Sequence, residues 1–226
     1  MTLKNWFKYC VVLLTAVQVT YASDADKLVD ITKDITSVSA EFEQEIRDQF
    51  NNLKDKSKGV FQLKKPFKFL WQTQKPFQQL IVSNGDVLWT FDQDLDQVNI
   101  ESLDKAMGNT PVFFLGADAK TLNESFNITL LPSGQSDAKT FELTPRNNEN
   151  TFERMLVLFN DGQLKEILLK DTLGQQTSVE FSAVNMNVEL ADSTFEFTPP
   201  EGVDVLDSRR SKPSPTQPPA KPVEQY

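Results

Sequence analysis

From Gly59 onward the chain is written in short runs rich in alternating apolar and polar residues. GVFQLK, FKFLWQT, FQQLIVS and DVLWTF follow one another, separated by Lys65-Pro66, Lys75-Pro76 and Asn84-Gly85. Side chains leave a strand on alternate faces, so each run reads as a half-buried strand and each separator as a turn. The prolines fall between runs, where no ladder needs their missing N–H, and Asn-Gly suits a tight primed turn. FNITLL, TFELTP, FERMLVLF, QLKEILLKD, QTSVEFS and FEFTPP repeat the theme downstream. About eleven strands joined mainly by short turns predict a mainly β (α+β) fold, built on a large curved sheet or barrel.

Two segments depart from the strand rhythm. Leu28, Ile31 and Ile35 recur at helical spacing between Asp24 and Ser37, with Asp24 placed to cap and Asp26 in the first turn, which predicts an amphipathic helix. Beyond Ser37, Val38, Phe42 and Ile46 would also fit a helix face. The fuller alternation of Val38, Ala40, Phe42, Gln44 and Ile46 favours a strand. Between Asp104 and Ala119, Thr110 can cap and Pro111 suits a first helical position, ahead of Val112, Phe113, Phe114, Leu115 and Gly116. Four consecutive large hydrophobes cannot all hide on one short helix. Laid over the open side of the sheet they would be covered, which makes this segment a candidate lid.

The ends of the chain narrow the setting. Lys4 and Lys8 precede an apolar run from Val11 to Val19 and small or polar residues around Ala22, so residues 1–22 are expected to be a signal peptide. The run is well short of the roughly twenty residues a spanning helix needs, and no stable membrane insertion is expected. Cys10, the single cysteine, lies inside this leader, which leaves no disulfide or thiolate chemistry beyond it. Residues 208–226 are proline-rich with little to bury, and are expected to form a disordered tail. Residues 23–207 then form one domain.

Charge and composition exclude several function classes. The chain has 32 acidic against 23 basic residues, a formal net charge of -9, and part of the basic complement lies in the leader and the tail. Such a body repels nucleic acid and anionic membrane surfaces. Without histidine, Ser-His-Asp and Cys-His catalysis and the commonest zinc ligand are absent. Asp92, Asp94 and Asp96 have the alternate spacing of a calcium loop, but Gln97 and Leu103 stand where the turn glycine and the bidentate glutamate belong. No glycine motif cradles a phosphate. A glycosidase-type carboxylate pair is the residual enzymatic reading. The pattern favours a protein without cofactor or metal that binds something greasy and catalyses nothing.

The run GVFQLKKPFKFLWQTQKPFQQLIVSNGDVLWTFDQDLDQV, residues 59–98, resembles the outer-membrane lipoprotein carrier (LolA) family. GNTP at 108–111 with VFFL after it, FELTPR at 141–146, DTLGQQTSVEF at 171–181 and FEFTPPEGVDV at 195–205 extend the resemblance in order and spacing. It implies an incomplete antiparallel β-barrel with short helices as a lid over a hydrophobic cavity for acyl chains. It further implies a monomer in the periplasm, which takes acylated lipoproteins from an inner-membrane ABC transporter and passes them to an outer-membrane acceptor. Exposing a sixteen-carbon chain to water costs on the order of 12 kcal/mol, so crossing an aqueous compartment needs such a carrier. The cavity candidates are Phe67, Phe69 and Trp71 on one strand and Val87, Trp89 and Phe91 on another; alternation leaves open which face lines the cavity.

The same resemblance assigns a lid and a latch. Leu28, Ile31 and Ile35 belong to one lid helix, and Val112 to Gly116 to the other. Family members typically carry arginine immediately before the first proline, hydrogen-bonded to backbone of the lid helices; this chain has Lys65, a flexible point charge in place of a planar fork. Its expected partners are the backbone groups around Leu115 and Gly116. A lipid or lipoprotein sensor of the same fold is the alternative reading, and such a sensor is expected to add a second domain for its partner. The outer-membrane acceptor itself would be expected to carry a lipid-attachment cysteine at the cleavage site.

Overall fold

A computed structural model of the protein describes residues 22–103, 114–134, 137–146 and 152–209. The signal-peptide reading with Cys10, most of the proline-rich tail, Thr110, Pro111 and the lid candidates Val112 and Phe113 lie outside these residues. Twelve strands form one sheet: β1 (Ser37–Arg47), β2 (Leu53–Lys64), β3 (Lys68–Lys75), β4 (Gln79–Asn84), β5 (Val87–Asp92), β6 (Gln97–Ser102), β7 (Phe126–Leu131), β8 (Ala138–Pro145), β9 (Phe152–Asn160), β10 (Gln163–Asp171), β11 (Gln176–Met186) and β12 (Asp204–Asp207). Their order is β12-β6-β5-β4-β3-β2-β1-β11-β10-β9-β8-β7. Two meanders therefore meet at β1, and the sheet stays open because β12 and β7 end it without pairing to each other. The strand count is one above that read from the sequence. β12 runs parallel to β6, the one departure from antiparallel pairing among the described residues.

The alternation dictates two faces, and both are covered. On the inner face Val38, Ala40 and Phe42 of β1, Phe61 and Leu63 of β2, Phe69 of β3, Phe141 and Leu143 of β8, Met155 and Val157 of β9, and Phe181 of β11 join one buried core. Gly59 of β2 lets β3 and the Phe42 ring of β1 close in at this core. A Cβ there would lie 1.9 Å from the Gln72 carbonyl oxygen and 2.6 Å from the Phe42 ring, and the β2–β3 register shifts at this point. A missing side chain thus accommodates a bulge and the curvature that goes with it.

On the outer face Phe91, Val98 and Ile100 form a second cluster with Leu80, Val87, Trp89, Phe197 and Val203. The C-terminal segment supplies the cover. Lys64 reaches the Leu190 carbonyl at 2.9 Å and the Asp192 carboxylate at 2.7 Å, and Phe195 is fully buried. FEFTPP, read as a strand, instead begins at the end of a 3-10 turn, Asp192–Phe195, and continues without ladder pairing. Pro199 and Pro200 have no N–H to give a ladder, and Phe195 plugs the sheet face.

Two short helices complete the fold. α1 (Asp24–Thr32) is capped by Ser23 in a reciprocal box with Asp26. Asp24, read as the cap, accepts the Leu130 N–H of edge strand β7 at 2.9 Å instead. The helix ends at Thr32, so Ile35 lies beyond it in a turn whose N–H returns to the Thr32 carbonyl at 3.1 Å. α2 (Ala119–Ser125), capped by Asp118, lies just past the segment read as the second helix. Of that segment, the described residues Phe114 and Leu115 are in 3-10 conformation.

Candidate functional site

The inner face carries an aromatic floor. Phe42 stacks on Trp71 with ring centroids 4.0 Å apart, and Phe61 and Phe181 lie 5.8 and 6.3 Å from Trp71. Register brings them together: Phe61 stands opposite Trp71, and Phe42 opposite Phe181. Aliphatic residues continue the surface across Val179, Ile167, Val157 and Leu143. Leu28, Ile35, Phe114, Leu115, Ala117 and Leu122 pack over it, all buried. A covered apolar face of this kind can take hydrocarbon out of water.

The structure separates the two sets of cavity candidates. Phe69 is buried in the inner core, and Trp71 and Phe67 pack against it. Phe67 belongs to the turn before β3 with φ at 59°, and a Cβ on Gly116 would lie 2.8 Å from its ring. Val87, Trp89 and Phe91 face the other way, into the cluster under Phe197. The cause is register: Phe69 pairs with Ser83, and Ser83 with Leu88, so Leu88 and not Trp89 shares the face of Phe69. Alternation defines the stripe within a strand, but only the partner strand says which stripe looks inward. Phe42, Phe61 and Phe181 were absent from the candidates although each sits at an alternating apolar position; their convergence depends on pairings that span most of the chain.

The cover is pinned at both ends of α1. Leu28 is buried and Ile31 half-buried against the inner core, while Asp24 holds the first turn to β7. At the other end Lys65 Nζ donates to the Thr32 carbonyl at 2.6 Å. The acceptor is thus at Thr32 and not in the backbone around Leu115 and Gly116, where the Phe67 ring lies against Gly116. The last carbonyls of a helix have no intrahelical donor and carry the negative end of its dipole, and α1 has no basic residue in its last turn. Lys65 supplies that cation from the β2–β3 turn. Burial pushes its ammonium below the usual lysine value, opposed by the Asp34 carboxylate.

On β1 and β2 charge alternates with the inner-face residues. Lys58 and Lys56 pair with Glu43 and Glu45 at 2.6 and 3.0 Å, at positions of β1 that alternate with Phe42. The acidic run closes a turn: Asp92 Oδ1 accepts the N–H groups of Asp94 and Leu95. Among the described residues no helix is long and apolar enough to cross a membrane.

Comparison with known proteins bears on this arrangement. The family described as "Outer membrane lipoprotein carrier protein LolA" matches residues 33–198. An outer-membrane lipoprotein carrier protein of Nitrosospira multiformis is 36% identical over 203 residues, covering 88% of this chain and 97% of its own. One of Hahella chejuensis is 34% identical over 185 residues, covering 82% and 88%. A solved structure of an uncharacterized conserved protein from Thermus thermophilus has a TM-score of 0.51 at 13% identity. It covers 82% of this chain and 99% of its own, a likeness of fold alone.

Proposed function

Because the chain belongs to the LolA family of outer-membrane lipoprotein carriers, we propose that it ferries lipoproteins with their acyl chains held on the inner face of the open sheet. The carrying observation is the aromatic floor of Phe42, Phe61, Trp71 and Phe181 beneath an apolar cover. Phe67, Phe69 and Trp71 are retained as cargo contacts, with Leu88 in place of the β5 stripe. Residues 23–207 act as the carrier domain, in the periplasm, after removal of the leader. Cargo arrives from an inner-membrane ABC transporter and leaves to an outer-membrane acceptor, with no bond made or broken in the carrier.

Such a carrier must shield chains and then surrender them, which requires two states of the cover. Lys65 on the Thr32 carbonyl is the latch of the closed state, and Leu28, Ile31, Ile35, Phe114, Leu115 and Gly116 are the lid it holds. A lysine gives a flexible point charge here where arginine gives a planar fork, so the closed state yields more readily. The test uses the mature protein with inner-membrane vesicles that contain the transporter, a triacylated lipoprotein and ATP. Release of the lipoprotein into the soluble fraction is expected, and its retention in the vesicles rejects the carrier role. Lys65→Leu is expected to alter onward transfer to the acceptor; unchanged transfer rejects the latch.

A further inference from the structure

Four of the most exposed large apolar side chains lie on four turns: Phe50 (76% exposed) between β1 and β2, Phe77 (67%) between β3 and β4, Leu95 (69%) between β5 and β6, and Leu173 (83%) between β10 and β11. Antiparallel pairing brings these turns to one end of the sheet, since Arg47 at the end of β1 pairs with both Leu53 and Gln176. Neighbouring turns touch: Gln93 N–H donates to the Gln78 carbonyl at 3.2 Å, and Gln49 Cβ lies 3.2 Å from where a Cβ on Gly174 would sit. At the opposite end, the β2–β3, β4–β5 and β9–β10 turns expose no large apolar residue.

The display is built into the turns. Asp48 Oδ1 accepts the N–H of Phe50 at 2.9 Å, Asp171 Oδ1 that of Leu173 at 2.9 Å, and Asp92 Oδ1 that of Leu95 at 3.2 Å. Each of these carboxylates accepts a second turn N–H, from Asn52, Gln175 and Asp94 respectively. The same device therefore fixes three separate turns with an apolar side chain held outward. A side chain presented on an ordered turn loses little freedom when it is buried by a partner.

Charge selects the partner. Of the cations flanking these turns, Arg47 pairs with Glu45 at 2.8 Å, Lys54 with Asp48 at 3.1 Å and Lys170 with Glu153 at 2.8 Å, while Lys75 beside Phe77 is exposed. Asp92, Asp94, Asp96 and Asp171 add further negative charge between the tips. Segments that settle on lipid surrounding an apolar insert use basic residues, and this rim has the opposite sign. Separate apolar anchors inside a charged rim are instead the anatomy of a protein interface. We propose that the turn end of the sheet docks a membrane-borne protein through Phe50, Phe77, Leu95 and Leu173, on a surface with apolar recesses bordered by lysine or arginine. That the partner is membrane-borne rests on the carrier role proposed above, while the contact itself uses none of the residues of the inner face.

The experiment is co-sedimentation of the labelled mature protein with envelope vesicles from a Gram-negative cell, beside protein-free liposomes of lipids extracted from those vesicles. Wild type is expected to bind the vesicles, to lose binding as NaCl rises, and to leave the liposomes unbound. The variant F50S/F77S/L95S/L173S is expected to lose about tenfold in affinity, and Asp94→Lys to weaken binding, each with an unchanged melting curve because the side chains are exposed. Equal binding by wild type and the fourfold variant overturns the proposal, as does equal binding to protein-free liposomes or no binding above background. Acyl-chain uptake by the same wild-type preparation reports separately on the carrier role, so the two can fail independently.

Discussion

Gly59 and Lys65 each do something that another residue type would do differently. At Gly59 the constraint is space, because the site for a Cβ is occupied by the Gln72 carbonyl and the edge of Phe42. Gly59→Ala forces β3 away or unstacks Phe42 from Trp71, and overpacking of this kind costs about 3 kcal/mol. Urea unfolding is expected to show that loss with an unchanged m-value; a midpoint equal to wild type contradicts the packing account. At Lys65 the constraint is a carbonyl at a helix end, which calls for a cation of the right reach and is met differently by a point charge and a planar fork. Sequence alone marked the position through its proline but not the partner, since Thr32 becomes a neighbour only when α1 folds back over the sheet.

Among the elements, β10 and β11 carry a local conflict. Glu166 stands directly opposite Glu180, and burial together with that carboxylate holds Glu166 above the usual carboxylate value. A carboxyl raised in the folded state binds its proton more tightly there than in the unfolded chain. Stability from this group is therefore fully present below the ordinary value near 4.5 and is lost as pH rises through the elevated one. Glu166→Gln is expected to raise the melting temperature at pH 7 relative to wild type, with the gain shrinking toward pH 4. A gain that is independent of pH assigns the effect to something other than this titration. The outer C-terminal segment meets no such conflict: Asp192, flanked by Lys64 and Lys68, is held below its ordinary value by both.

At the scale of the molecule, the sheet is a partition with different work on its two sides. Trp71 lies on the inner floor and Trp89 in the outer cluster, so they report on opposite faces. With a brominated acyl lipopeptide, the mature protein carrying Trp89→Phe is expected to show strong quenching through Trp71. The protein carrying Trp71→Phe is expected to show little through Trp89. Equal quenching of both would mean that chains reach the outer face as well, against the cover supplied by Phe195 and Phe197.

The strand runs, the turn residues between them, the amphipathic opening helix and the lack of histidine were legible along the chain, because each is a property of neighbours in sequence. The family, too, was legible from ordered motifs. What the chain could not state was which stripe faces inward. A strand offers two faces that differ only in what covers them, and that cover comes from α1, the Phe114–Ala117 segment and the C-terminal turn, all distant in sequence. Hence Phe69 and Trp71 lie on the inner face, Trp89 lies on the outer one, and the Lys65 ammonium rests on Thr32. Sequence determined the alternation; pairing register and the packing of remote segments decided its sign.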